Sequence, residues 1–588
     1  MRRTPFGGLL QVLLPQIPRQ CLRLLVSSFH LARFLLASLP SPDYKFVNNQ
    51  LPTIVWFKRD LRTGDHAPLA AAARAGTAVV PLYVIEPSLF SAPDFAAQHW
   101  GFIRESLLEL ARDLAMLGSP LVVRIGEMPD VLQQLQSELG TFHLLSHQET
   151  GNALSYARDV RVGAWCRAHG VAWREFRQHG VVRGGINRDH WAQQWDHLMS
   201  QPLIAEPTAL VAPRPGLVLH SHENLTDIGI TFHEADKLKR QRGGRTPGAE
   251  LLFSFLDGRG QHYRRAMSSP LSAADACSRL SPHIAYGTLS IREIVHALVA
   301  KRGALHAIAP EHRAPGMLES IKSFEARLHW HCHFTQKLES EPAIETRNVH
   351  RGFDSVRNEG ALSEVELERL RVWQQAATGY PMIDACMKML HTTGWINFRM
   401  RAMLMSFASY QLWLHWREPA IYLATQFLDY EPGIHYPQAQ MQSGVTGINT
   451  IRIYNPIKQA KDQDPDGRFI RQWLPQLARV PGDYIFAPDT MPMTLQEHID
   501  VIIGRDYPAP IVDNVEAMRF ARDAIHAVKQ RAEVQAEASR VYIKHGSRNP
   551  QRNGVVKARR APGNATDTAP VAQMAFDWGK NIDGSSSE

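Results

Sequence analysis

From Leu51 onward, short apolar and β-branched runs alternate with longer stretches of helical period. The runs fall at 53–57, 78–85, 121–125, 142–146 and 171–176, short enough for strands that are covered on both faces. Between them the spacing is helical. In 100–117, Phe102, Leu107, Leu110, Leu114 and Leu117 recur at near-helical intervals beside Arg104, Glu105, Glu109 and Arg112. Strand, helix and strand repeated at these lengths predict a parallel sheet with helices on both sides, because parallel neighbours need a crossover. The first expected unit is therefore an α/β domain over 51–185.

The pattern then changes. Residues 186–250 contain the Pro- and Gly-bearing stretches 202–215 and Gly243-Gly244-Arg245-Thr246-Pro247-Gly248, the composition of a surface linker between domains. From 251 to 540 strand signals nearly vanish and amphipathic helical stretches follow one another, for example 381–390 and 396–416, which predicts a large helical domain. Residues 541–588 include Lys544, Arg548, Arg552, Lys557, Arg559 and Arg560 among Gly, Asn, Ser and Pro, a basic and disordered tail. Residues 1–50 contain Arg2, Arg3, Arg19, Arg23 and Arg33 but only the acid Asp43. That is the composition of a transit peptide or of a disordered extension. Its apolar run, broken by Arg23, His30 and Arg33, falls short of the ~20 residues that span a membrane. A transit segment implies an organelle; without one, a bacterial cytoplasm is expected.

Composition narrows the class. With 44% apolar and 21% charged residues over 588 positions, the chain is neither disordered, collagen-like nor a disulfide-stapled miniprotein. The 65 Lys and Arg exceed the 57 Asp and Glu, a formal +8 that favours a polyanionic partner. The first strand runs into Lys58-Arg59-Asp60-Leu61-Arg62 without a glycine that would let backbone amides approach a pyrophosphate. An ordinary dinucleotide-binding domain is thereby disfavoured.

Three clusters in the helical domain carry candidate chemistry. Ser278-Arg279-Leu280-Ser281-Pro282-His283 places hydroxyls and an arginine before a Pro-started helix, which suits either a phosphate cradle or an ordinary N-cap. In Gly394-Trp395-Ile396-Asn397-Phe398-Arg399-Met400-Arg401, an advance of ~100° per residue sends Arg399 and Arg401 to nearly opposite sides of a helix. Asp429-Tyr430-Glu431-Pro432-Gly433-Ile434-His435-Tyr436 is a carboxylate-bearing loop able to receive one of those arginines.

Together these segments resemble the photolyase and cryptochrome flavoprotein family over about residues 53–480. The resemblance rests on Trp56 to Arg62, Ser278 to Ser290, Gly379 to Ala385, Gly394 to Arg401, Leu428-Asp429, and Phe469 to Pro475, all in the family's order. It implies FAD in the helical domain, with Tyr263, Ser278, Arg279, Leu280 and Ser281 at the phosphates and Trp330 near the adenine and the lesion cavity. It also implies an Arg401–Asp429 pair beside the flavin ring, with Glu431 on the ribityl and adenine side. Arg399 would reach the DNA cavity together with Arg327, Trp330, His331 and Phe398. The α/β domain would carry an antenna chromophore of folate or deazaflavin type, with Glu149 at a folate-binding position.

Departures from the family are as informative. His435 falls where most members place Asn opposite flavin N5, and a histidine there is able to titrate near neutral pH. Of the tryptophans that usually re-reduce the flavin only Trp416 matches, because the position nearest the flavin is Ala439. Trp395, Trp413, Tyr410, Tyr430 and Tyr436 are nearby aromatics for another route. Arg327 stands where repair enzymes commonly have an acid, and Asn397-Phe398 differs from the paired histidines of (6-4) repair enzymes. His329 and His333 are spaced i, i+4, but no third metal ligand is evident. Cys277, Cys332 and Cys386 form no close set, and an iron–sulfur cluster needs four thiolates.

The resulting expectation is a monomeric, blue-light-dependent photolyase that splits cyclobutane pyrimidine dimers in UV-damaged DNA, a carbon–carbon lyase. The alternative is a cryptochrome-type photoreceptor without repair activity.

Overall fold

A computed structural model describes residues 51–546 except 185, 215, 216, 218 and 233; the extension 1–50 and residues from 547 lie outside the described residues. The first residues of the tail expected over 541–588 end the helix Ala532–His545, with Val541 and His545 buried. Strands β1 (Thr53–Phe57), β2 (Val79–Ile85), β3 (Val122–Ile125), β4 (His143–His147) and β5 (Ala172–Phe176) form one parallel sheet in the order β3-β2-β1-β4-β5. All five residues of β1 are buried, with Thr53 level with Val79 on one side and His143 on the other. The sheet winds both ways from β1, so a crevice opens beyond the carboxyl ends of β1 and β4. Each strand lies within one residue of its expected bounds.

The helix expected at 100–117 spans Ala97–Met116. Its earlier start has no Ser, Thr, Asp or Asn signal, because His99 provides the cap by accepting the Ala96 N–H at 3.1 Å through Nδ1.

The stretch 186–250 is not merely a surface linker. Trp191–Ser200 is a helix whose Trp191, Trp195 and Met199, spaced i, i+4 and i+8, are buried in the helical domain. Farther on, Val79 N donates to Val211 O at 2.8 Å and His222 N to Val123 O at 2.8 Å, tying the segment to β2 and β3. Lys237 is buried and donates to Leu390 O at 3.0 Å and Gln426 Oε1 at 2.6 Å. Burial pushes this ammonium down to about 8.

The helical domain follows, and its helices close around an apolar core containing Trp373, Ile383, Met403, Trp416 and Ile470. The helix expected over 396–416 breaks into Phe398–Ser406 and a wider π turn, Phe407–Gln411. Arg357 Nε donates to Ser409 O at 2.9 Å, and Trp413 at φ 57° ends the run. Such insertions are rare and concentrate near functional sites.

The two domains are joined by motifs singled out in the sequence. Leu61 N donates to Tyr286 O at 3.2 Å, and the buried Arg62 donates through Nη1 to Gly287 O at 2.8 Å. Gly287 has φ +66°, and a Cβ there would lie 2.2 Å from Arg59 O, so this crossing requires glycine. Arg59 Nη1 also donates to Tyr430 O at 3.1 Å, which fixes the acidic loop against the sheet domain.

Candidate functional site

A cavity of about 380 Å³ opens in the helical domain, within the roughly 300–1,000 Å³ typical of cofactor sites. One wall is Tyr263, Ser278, Arg279 and Ser281; a second is Arg327, Trp330 and His331 on the helix Met317–Ser340. Phe398, Arg399, Arg401, Asp429 and Glu431 close the third. A smaller lobe of about 90 Å³ runs past Arg401 and Asp429 to His435 and Ala439.

Arg401 and Asp429 form a two-pronged pair, Nη1 to Oδ1 at 2.8 Å and Nη2 to Oδ2 at 2.9 Å. Arg401 Nε donates to Ile396 O at 2.8 Å, and the guanidinium lies 4.2 Å from the Phe427 ring centre. Burial raises the Asp429 carboxyl, but Arg401 and the Ser281 hydroxyl outweigh it and hold the group below its ordinary range. Gly394, at φ +67° after the helix Pro381–Thr393, sets this corner, since Leu428 N donates to its carbonyl at 2.9 Å.

Arg399 and Arg401 do not serve separate regions. Both border the one cavity, because it wraps around the start of the helix Phe398–Ser406. Arg399 is held only loosely, 3.4 Å from Gln459 Oε1. Four buried polar atoms on the cavity lining have no hydrogen-bond partner among the described residues: Arg399 Nε, Asn397 Oδ1, Gln438 Oε1 and Thr450 Oγ1. Buried polar atoms are rarely left unpaired. A large ligand with many donors and acceptors, such as a flavin dinucleotide, fits this lining.

The phosphate-cradle segment is altered in detail. The helix after Ser278 is a single turn, Ser281–Ala285, so it adds few free amides and little dipole. Leu280 is fully buried in the apolar core rather than on the cavity wall, and its amide donates to Ser278 Oγ at 3.4 Å. Arg279 adopts φ 62° and stacks 4.0 Å over Trp395, while its Nε donates to Gln241 Oε1 at 3.1 Å. Burial pushes this guanidinium down to about 10. Buried Tyr263 hydrogen-bonds Arg327 at the cavity edge, and burial raises its phenol to about 12.

His331, expected among the DNA contacts, lines the cavity and is engaged by an acid. Its Nε2 lies 2.9 Å from both Glu431 carboxylate oxygens. Burial opposes charge on the ring, but Glu431 outweighs burial and pushes the imidazole up to about 10, which makes it a buried imidazolium. Trp330 borders the cavity and packs against His333 and Phe334, with ring centres 5.4 and 5.5 Å away. His329 and His333 pack edge-on against Trp191, at 4.7 and 5.6 Å.

His435 has a fixed role rather than a neutral-range titration. Its Nε2 donates to Ala420 O at 2.7 Å, and burial pushes the ring down to about 4. Near neutral pH it is therefore uncharged, with the lone pair on Nδ1. Trp416 is fully buried and donates through Nε1 to Asn348 Oδ1 at 2.8 Å. Its ring centre is 6.2 Å from Tyr436. Ala439 lies on the wall of the smaller lobe, where the resemblance implies a tryptophan.

At the sheet crevice Glu149 is already paired with Arg158, which also donates to Glu86 at 2.8 Å and Asp159 at 2.9 Å. The space beside it is about 90 Å³, so a chromophore of folate or deazaflavin size requires side chains on the rim to move. Nearby, Asp60, His66 and His147 are the one group of three potential metal ligands among the described residues. Asp60 Oδ2 accepts from His66 Nε2 at 2.9 Å and His147 Nδ1 at 2.7 Å. His66 Nδ1 accepts the Leu69 N–H at 3.1 Å, so its Nε2 carries the proton and is not a metal ligand. This cluster is a proton-filled anchor.

The three polar clusters and the family resemblance pointed to most of the cavity arginines, its acids and Asn397, but not to Gln438 or Thr450, which are ordinary polar residues until the fold brings them to one wall. No helix among the described residues is long and apolar enough to cross a membrane.

Comparison with known proteins agrees with this architecture. A family profile described as DNA photolyase matches residues 53–189, and one described as the FAD binding domain of DNA photolyase matches residues 324–527. A deoxyribodipyrimidine photo-lyase of Agrobacterium fabrum is 29% identical over 504 residues, covering 82% of this chain and 98% of that protein. Cryptochrome DASH of Gloeobacter violaceus is 28% identical over 505 residues, covering 80% of this chain and 95% of that protein. Among solved structures, a bacterial class III photolyase from Agrobacterium tumefaciens superimposes with a TM-score of 0.71 at 26% identity, covering 84% of this chain and 100% of that one. With its parallel α/β domain followed by a helical FAD-binding domain, this chain belongs to the photolyase and cryptochrome family.

Proposed function

We propose that this protein is a light-dependent photolyase that binds FAD in the helical cavity and repairs cyclobutane pyrimidine dimers in DNA. The observation that carries the reading is the Arg401–Asp429 pair set in a cavity whose wall leaves Asn397, Arg399, Gln438 and Thr450 unsatisfied. When bound, FAD would supply the one-electron chemistry that opening a dimer requires. The protein's own residues bind, orient and exclude water.

Arg401 and Asp429 would hold the polar edge of the cofactor, with Tyr263, Ser278, Arg279 and Ser281 on the opposite wall. Asp429 stays ionised because Arg401 and Ser281 hold its proton off. His331 and Glu431 form a buried, mutually neutralising pair on the same cavity wall. Arg399, Arg327 and the 39%-exposed Phe398, which line the cavity, would contact a dimer flipped out of the duplex. Flipping is cheaper for a damaged pair than for an intact one, which is one source of selectivity. An antenna group in the sheet crevice beside Glu149 would add light capture without altering these contacts.

Purified protein should show the flavin absorption spectrum and bind dimer-containing duplex in preference to intact duplex, with Arg399→Ala weakening the preference. Equal affinity for the two duplexes would contradict the reading. A second reading, a photoreceptor without repair, is favoured by Ala439 and the uncharged His435 at the smaller lobe, and by cryptochromes among the relatives.

A further inference from the structure

Between the smaller lobe and Trp416 lies a cluster with no role in the reading above. Tyr430 and Tyr436 both direct their hydroxyls at one buried carboxylate, Asp94 Oδ2, at 2.6 and 3.4 Å. The two hydroxyls are 3.3 Å apart, and Asn152 Nδ2 donates to the same oxygen at 3.2 Å. Tyr430 lies on the lobe wall, and Tyr436 stands edge-on to Trp416 with ring centres 6.2 Å apart. His435 packs against both phenols, at 5.3 and 5.4 Å. Asp94 comes from the sheet domain and the tyrosines from the helical domain, so the cluster exists only when the domains are docked.

The geometry points to Tyr430, with Asp94 as its proton acceptor, as a redox-active phenol that donates an electron to the cofactor in the cavity; Tyr436 links it to Trp416. This rests on the FAD reading. Oxidising a phenol without moving its proton leaves a strongly acidic cation, whereas a carboxylate already at hydrogen-bond distance takes the proton as the electron leaves. The electron goes from the Tyr430 ring to oxidised flavin excited by blue light. The O–H bond of Tyr430 breaks, the proton forms an O–H bond on Asp94 Oδ2, and a neutral phenoxyl radical remains. A soluble thiolate supplies one electron and becomes a thiyl radical; relayed through Trp416 and Tyr436, that electron reduces the Tyr430 radical while the proton returns from Asp94 Oδ2 to the phenol oxygen, restoring both groups. With Ala439 on the lobe wall, the tyrosine pair provides an aromatic connection from the lobe to Trp416.

The test is electron paramagnetic resonance of the flavin-containing protein frozen under blue light, together with the rate of flavin photoreduction in H₂O and D₂O. The expected result is a neutral tyrosyl signal and slower reduction in D₂O. A positioned proton acceptor contributes roughly 10²–10⁴-fold, so Tyr430→Phe, which keeps the ring, should lose the signal and slow reduction by about tenfold or more. Asp94→Asn should remove the isotope effect while flavin stays bound. A tryptophanyl signal alone, or an unchanged rate and isotope effect in Tyr430→Phe, would overturn the inference with the FAD reading intact. Wild-type protein that binds no flavin would overturn both.

Discussion

Arg401 and Asp429 meet through two parallel hydrogen bonds of 2.8 and 2.9 Å at the corner where the main cavity passes into its smaller lobe. Charge-assisted bonds of this kind contribute about 1.5–3 kcal/mol. Asp429→Asn keeps the shape but removes the charge, and should weaken flavin retention by roughly 10–100-fold. Titration of apoprotein with FAD, followed by fluorescence quenching, checks this.

Gly287→Ala should destabilise the docking of the domains, because the new methyl would meet Arg59 O at 2.2 Å and the residue sits at φ +66°. Strain of this kind costs about 1–3 kcal/mol. A lower melting temperature with an otherwise unchanged far-UV dichroism spectrum is the expected outcome.

The His331–Glu431 pair predicts a pH dependence. Folding raises the imidazole from its ordinary 6.5 to about 10, so the folded state holds this proton more tightly than the unfolded state does. Its stabilisation is fully present below the unfolded value and is lost as pH rises through the folded one. Denaturant unfolding of the wild type should therefore show a decline between about pH 6.5 and 10 that Glu431→Gln flattens.

The sheet domain was legible in the sequence because buried parallel strands are continuous apolar runs, and each fell within one residue of its place. The linker was misjudged, since its prolines and glycines masked the Trp191, Trp195, Met199 spacing that buries a helix in the neighbouring domain. The helix over 396–416 was overextended because a π turn leaves no mark in apolar periodicity. In the site, the Arg401–Asp429 pair followed from the family resemblance, since charge alone offered the acidic loop either Arg399 or Arg401. The inward turn of His331 did not, because its partner Glu431 is 100 residues away. The Asp94 contact to Tyr430 spans 336 residues and has no local signal at all.

Trp416→Phe should preserve most packing while removing the bond to Asn348 Oδ1. The lost hydrogen bond costs about 1 kcal/mol, and light-driven flavin reduction with an external thiol should slow. An unchanged rate would remove Trp416 from the path.

The most direct measurement follows the loss of cyclobutane dimers from a defined oligonucleotide incubated with flavin-loaded protein under blue light and in darkness. The photolyase account predicts dimer loss that requires light and flavin and falls in Arg399→Ala. Intact dimers in the presence of bound, photoreducible flavin would contradict it and leave the photoreceptor reading.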